Sequence, residues 1–180
     1  SERYSNRRPL TILVVEDPPA DVDVLRDVLA RDKQASYALR HAERLSAAKQ
    51  FLEAGDIDIV LLDMILPDSQ GLPSLVALRG IAPQVPIIVL TATDDEELAL
   101  QALQKGAQDY ILKGHLQIYR HLLGRTLRYA IERKRAEEEL HQAYAQTEQL
   151  LSSLTSILIG IGPDGVITYW NDVAAEVFER

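Results

Sequence analysis

A chain of 180 residues, 47% of them hydrophobic and 26% charged, has the makeup of one ordinary globular core plus something smaller, which excludes wholesale disorder. A net charge of −8 argues against a nucleic-acid surface over the whole chain, and the lack of cysteine removes disulfides, thiolate metal sites and cysteine nucleophiles. No apolar run approaches the ~20 residues of a membrane helix, and Ser1 to Pro9 carries Arg3, Arg7 and Arg8 without a signal-peptide core. The sequence therefore predicts a soluble, cytoplasmic segment with neither membrane nor nucleic acid as partner.

After the extension at 1–9, apolar runs alternate with helical patterns. A strand is expected at 10–16, then a helix on which Val22, Leu25, Val28 and Leu29 recur at helical spacing. A short strand near 36–41 and a helix around 43–54, ended by Gly55, follow. The strand at 57–62 leads through a Pro67–Gly71 loop to a helix near 72–80. A strand at 86–90 precedes a helix at 94–105 opened by Asp94, Asp95, Glu96 and Glu97, acids suited to the positive end of a helix dipole. Gly106 stops it before the strand 108–112. Near-continuous apolar strands are buried on both faces, and five βα repeats predict an α/β fold. That fold is a doubly wound five-stranded parallel sheet of order 2-1-3-4-5, flavodoxin-like, with helices on both faces.

From Leu116 to about 157 the chain reads as one long helix without proline, which at ~1.5 Å per residue would span roughly 60 Å. Leu140, Tyr144, Thr147, Leu151, Leu154 and Leu158 alternate in steps of four and three, a coiled-coil seam that predicts a homodimer through this helix. Beyond it, residues 157–161 and 166–170 read as two strands about the Pro163-Asp164-Gly165 turn, and Asn171-Asp172 as the cap of a short helix. So small a piece cannot bury a core alone, which predicts a longer native protein. The domains are then an extension at 1–9, a globular domain at 10–130, a helical linker at 131–156 and a partial α+β fragment at 157–180.

Polar residues cluster where the strands end. Glu16 and Asp17 close the first, Asp63 the third, Thr91 the fourth and Lys113 the fifth. Ligands of doubly wound sheets bind at this edge, in the crevice where the winding reverses. Three carboxylates facing one crevice call for a cation, and hard oxygen donors suit Mg²⁺. A carboxylate left free there is a covalent phosphate acceptor. Lys113 supplies the fixed positive charge such a transfer needs, and the Thr91 hydroxyl a donor to a phosphoryl oxygen.

With these residues in place, 10 to about 130 resembles the receiver domain of bacterial two-component response regulators, the chemotaxis-regulator-like fold. The resemblance implies Glu16-Asp17 as the acidic metal pair and Asp63 as phosphoacceptor. It further implies Thr91-Ala92 as the switch hydroxyl and its small neighbour, Tyr110 as the aromatic switch, and Lys113 as the lysine of the site. Pro67 and Gly71 stand at the family's loop offsets, and the Ile65 backbone carbonyl is implied as a further Mg²⁺ ligand. The implied partner is a histidine kinase or phosphotransfer protein, and the implied enzymology no more than weak autophosphatase activity. Pro18-Pro19 after the acidic pair and Gly114 after Lys113 depart from the family pattern without removing a chemical group. Residues 157–180 resemble the opening of a PAS sensory domain, through Pro163-Asp164-Gly165 and Ile167 to Asn171, which implies an output domain further on.

Other signals weigh less. Gly160-x-Gly162-x-x-Gly165 matches a dinucleotide fingerprint, but a strand, not a helix, follows it. His41, His115, His121 and His141 lack metal-ligand spacing, and Arg125, Arg128, Arg133, Lys134 and Arg135 read as a solvated helix face. A Mg²⁺-dependent phosphatase or flavin protein on the same fold stays open, as does a receiver that signals by dimerisation alone.

Overall fold

The computed structural model describes residues 8–17, 19–92, 96–116, 120–153 and 156–178. Strand β1 (Leu10–Val15) is buried along its whole length and is followed by α1 (Ala20–Leu29), β2 (Tyr37–Ala42), α2 (Leu45–Ala54) and β3 (Ile59–Asp63). Two short strands, β4 (Ile65–Leu66) and β5 (Ser69–Gln70), pair antiparallel where the sequence suggested only a loop. Then come α3 (Leu72–Ile81), β6 (Ile87–Thr91), α4 (Glu96–Gln104), β7 (Asp109–Leu112), a 3-10 turn at Lys113–His115, and α5 (Arg120–Ser153). Of the expected acidic opening of α4, Asp94 and Asp95 lie outside the described residues. The main sheet has the order β2-β1-β3-β6-β7, which is the expected 2-1-3-4-5 once the small hairpin is set aside. All of its neighbouring pairs are parallel.

Strand pleating divides the core in two. Leu13, Val15, Val60, Leu62 and Val89 face one side, where α2 and α3 bring Leu52, Leu75 and Leu78 and α4 brings Ala102. Ile12, Val14, Ile59, Leu61 and Ile88 face the other, where α1 brings Leu25 and α5 brings Leu123, Leu127 and Ile131. Each such buried aliphatic side chain contributes about 1.5–3 kcal/mol relative to exposure. Helix α5 is thus part of the second core before it runs on.

Polar clamps fix α5 further. Arg128 is buried, forms an ion pair with Asp32, and donates to the Tyr37 hydroxyl at 2.7 Å and to Gln34 Oε1 at 2.8 Å. Arg135 reaches Asp58 at 3.2 Å, and Arg8 meets the same carboxylate at 2.9 and 3.0 Å. Arg133 holds Gln108. The basic run is therefore not a uniformly solvated face, because helical spacing turns Arg128 inward onto the α1–β2 loop. Gly124 permits that approach: a Cβ there would lie 2.1 Å from Asp32 Oδ2.

Two compact units emerge, Ser1–Arg135 and Ala136–Arg180. In the second, every residue from 139 to 150 is exposed. Leu154 of the expected seam lies outside the described residues. Further on, β8 (Ile159–Ile161) and β9 (Ile167–Trp170) form an antiparallel hairpin, followed by α6 (Asp172–Phe178). Gly165 takes a φ of 79° in the turn, and a strand follows it, so the glycine pattern serves a hairpin and not a phosphate loop. Asn171, buried, accepts from Leu158 N at 2.9 Å and Ala174 N at 3.1 Å, joining the hairpin to the start of α6.

Candidate functional site

Register places the functional side chains. Val15 pairs with Leu62, so Glu16 and Asp63 come level at the ends of neighbouring strands. Asp63 pairs with Leu90 and Thr91 with Leu112, which sets Thr91 and Lys113 one step beyond on the next strands. Four residues scattered over the sequence thereby meet at one edge of the sheet.

Lys113 stands at the centre. Its Nζ donates to Glu16 Oε1 at 2.5 Å and to Asp63 Oδ2 at 2.6 Å. The Lys113 side chain is 18% exposed, that of Glu16 1% and that of Asp63 11%, so both ion pairs are largely shielded from water. Burial opposes the ammonium charge, yet Asp63 and Glu16 outweigh it and lift the lysine pKa to about 12. Glu16 moves up from the ordinary carboxylate value: burial and a hydrogen bond with Asp21 raise it against the pull of Lys113. Its backbone carbonyl accepts from His41 Nε2 at 2.8 Å, tying the end of β1 to β2.

The second oxygen of Asp63, Oδ1, accepts the Ile65 backbone N–H at 3.0 Å. The hairpin β4–β5 holds Ile65 there, closed by Gly71 N donating to Met64 O at 2.7 Å. In the same loop Asp68 accepts from Leu45 N at 2.8 Å and Ser46 N at 3.0 Å, capping α2, a role that the sequence reading missed. Asp63 therefore has one oxygen on an ammonium and the other on a backbone N–H, an arrangement that stabilises added negative charge.

The other expected residues stand around this centre. Asp17 is exposed at the end of β1, Thr91 is buried, and Ala92 is exposed just before residues outside the description. Tyr110, 39% exposed on β7, lines a cleft of about 360 Å³ with Ile111, His115, Leu122 and Leu123. Among the described residues no group of three or more His, Cys, Asp or Glu side chains is placed to hold a metal ion together. Glu16, Asp17, Asp63 and the Ile65 carbonyl offer oxygen alone, the donor set of a hard cation. Asp21, in the first turn of α1, was not foreseen: its Oδ2 lies 3.5 Å from Lys113 Nζ.

The response regulator receiver domain model matches residues 12–118, which takes in Glu16, Asp17, Asp21, Asp63, Ile65, Thr91, Ala92, Tyr110 and Lys113. The chain belongs to this family. It is thus a receiver of two-component, phosphorylation-based signalling, with the five-stranded chemotaxis-regulator-like fold. The swarming motility regulation protein RssB of Serratia marcescens is 35% identical over 104 residues, 58% of this chain and 46% of its own length. The chain thus spans about half of that relative. The signal receiver domain of an HD domain-containing protein from Pseudomonas fluorescens Pf-5 is 27% identical with a TM-score of 0.62, covering 74% of this chain and 94% of its own. The Mn²⁺-bound form of response regulator Rcp1 shares the fold at 23% identity and a TM-score of 0.56, over 63% of this chain and 91% of its own. Among the described residues no helix is long and apolar enough to cross a membrane.

Proposed function

We propose that Asp63 is the phosphoacceptor of this receiver, taking a phosphoryl group from the phosphohistidine of a partner kinase or phosphotransfer protein. The observation that carries the reading is the Lys113 ammonium bridging Glu16 and Asp63 at 2.5 and 2.6 Å. One Asp63 oxygen forms the new bond to phosphorus as the bond from phosphorus to the imidazole nitrogen breaks, and the electron pair leaves with the imidazole. The Ile65 N–H and Lys113 steady the charge on Asp63 and on the transferred group. Glu16, Asp17, Asp63 and the Ile65 carbonyl are the oxygens for Mg²⁺, whose charge draws electron density from the phosphoryl oxygens. Response regulator Rcp1, which shares the fold, is described in a Mn²⁺-bound form, and the oxygen-only donors of this chain suit a hard divalent ion.

The acyl phosphate brings about −1.5 to −2 charges next to Lys113. Thr91 then turns its hydroxyl to the phosphoryl group past the small Ala92, and Tyr110 repacks in the cleft it lines, shifting the face from which α5 departs. The output passes along α5 to a PAS domain that begins near residue 157 and onward to an output domain. Leu140 and Tyr144, at 59% and 66% exposure, supply with Thr147 and Leu151 a seam for a homodimeric coiled coil in the linker. The setting is cytoplasmic, and the chain itself has no more catalytic activity than slow loss of its own phosphate.

Labelling with acetyl phosphate and Mg²⁺ tests the assignment. Wild-type chain is expected to take up phosphate as an acid-stable, base-labile acyl phosphate, and Asp63→Asn to take up less than a tenth as much. Label persisting in Asp63→Asn at the wild-type level refutes Asp63 as acceptor.

A further inference from the structure

The sequence around α1 has an unusual start. Pro18 and Pro19 lack N–H groups, and Pro19, at the N-cap, makes no side-chain cap hydrogen bond. An acceptor for the first turn comes instead from the strand before it. Glu16 Oε2 accepts the Asp21 backbone N–H at 3.3 Å while its Oε1 holds Lys113. Glu16 is thus pinned at both oxygens, and the pin carries Asp21 to the edge of the site. There Asp21 Oδ2 lies 3.5 Å from Lys113 Nζ, beyond the two shorter contacts that the ammonium makes to Glu16 and Asp63. The Asp21 side chain is 22% exposed, so this charge is partly shielded and stays on the α1 side of the lysine.

Building on the reading of Asp63 as phosphoacceptor, we propose that Asp21 is a positioning residue for metal-dependent phosphoryl transfer. A divalent cation that engages Glu16 and Asp63 competes with Lys113 for their oxygens. Lys113 then needs another anion within reach, and Asp21 is the one its ammonium already faces. Asp21 keeps the ammonium on the α1 flank, beside the incoming phosphoryl group and away from the cation, and adds one more negative charge to the field that draws Mg²⁺ in. It acts through Lys113 and Glu16 and touches neither metal nor phosphorus. A role confined to the α1 dipole would change stability and leave metal dependence where it was.

The test uses the whole chain, with Mg²⁺ alone as the probe. Isothermal titration of Mg²⁺ into wild type, Asp21→Asn and Asp21→Glu gives binding directly, and acetyl-phosphate labelling across Mg²⁺ concentrations gives its use. Removing one charge near a divalent ion at a partly exposed site is expected to weaken Mg²⁺ binding about three- to tenfold in Asp21→Asn. Labelling at saturating Mg²⁺ should fall by a smaller factor, and Asp21→Glu should recover binding to within about twofold of wild type, the residual dependence reflecting one longer side chain. Thermal melting of each variant separates lost binding from lost fold, and Asp21→Ser replaces Asp21→Asn should the latter not fold. A variant lacking the charge that binds Mg²⁺ as wild type does overturns the inference while leaving the phosphoacceptor reading intact. A wild-type chain that binds Mg²⁺ but takes no label at Asp63 overturns both.

Discussion

Replacing Asp32 by Asn tests whether the first part of α5 is held by charge as well as by its apolar face. Asp32 accepts from Gln34 N at 2.9 Å and from the Tyr37 hydroxyl at 2.7 Å, and it is the counter-ion of Arg128. The Arg128 side chain is 8% exposed and that of Asp32 15%, so the asparagine variant takes the Asp32 charge away from a shielded guanidinium. At about 4 Å and an effective dielectric of 20 the lost attraction is about 4 kcal/mol. The asparagine oxygen keeps a neutral hydrogen bond worth about 1 kcal/mol, which leaves a net loss of about 2–3 kcal/mol. Burial alone would raise the Asp32 pKa, but Tyr37, the Gln34 N–H and Arg128 together hold it below the ordinary 3.8. A carboxylate with a depressed folded pKa contributes its full stability above the unfolded value and loses it as pH falls through the folded one. The gap between wild type and Asp32→Asn, measured from urea midpoints, should therefore be constant from pH 7 to about 5 and close below 3.8. A gap below about 0.5 kcal/mol at pH 7, or one that widens in acid, refutes the charge clamp.

Gly124→Ala would place a methyl 2.1 Å from Asp32 Oδ2, so it should cost about 1–3 kcal/mol in the same urea assay, and a neutral result would mean that α5 can slide on its loop. Lys113→Met keeps the stem but removes the ammonium between Glu16 and Asp63. Acetyl-phosphate labelling is expected to fall by about a hundredfold, and wild-type labelling in this variant would show that the lysine is only structural. Leu140→Asp with Leu151→Asp puts charge into the proposed linker seam. Sedimentation equilibrium should report a dimer for wild type and a monomer for the variant, with Asp63 still labelled in both; equal masses would remove the coiled coil.

The edge strands β2 and β7 are half-exposed and carry charged residues, whereas the central strands β1, β3 and β6 were legible because each is short, almost wholly apolar and set off by glycine, proline or a helical period. Such runs have few other uses in a soluble chain. The site was legible for a related reason: polar residues directly after buried strands must gather at the carboxyl edge of a parallel sheet. The β4–β5 hairpin was not, since its two-residue strands carry no periodicity to read. Nor was the inward turn of Arg128, because charge along a helix looks alike in sequence whether it faces water or a buried carboxylate. Asp21 escaped notice as one more acid in a first turn, where acids favour the dipole anyway.

Composition, strand pattern and the spacing of Glu16, Asp17, Asp63, Thr91 and Lys113 were enough by themselves to determine the fold class and the family, because periodicity and strand-end position are local properties. Tertiary structure alone decided which charges meet. Lys113 lies 97 residues from Glu16 and 50 from Asp63, yet its ammonium contacts both. That choice depends on strand register and helix phase, which are settled only when the two faces of the sheet are packed.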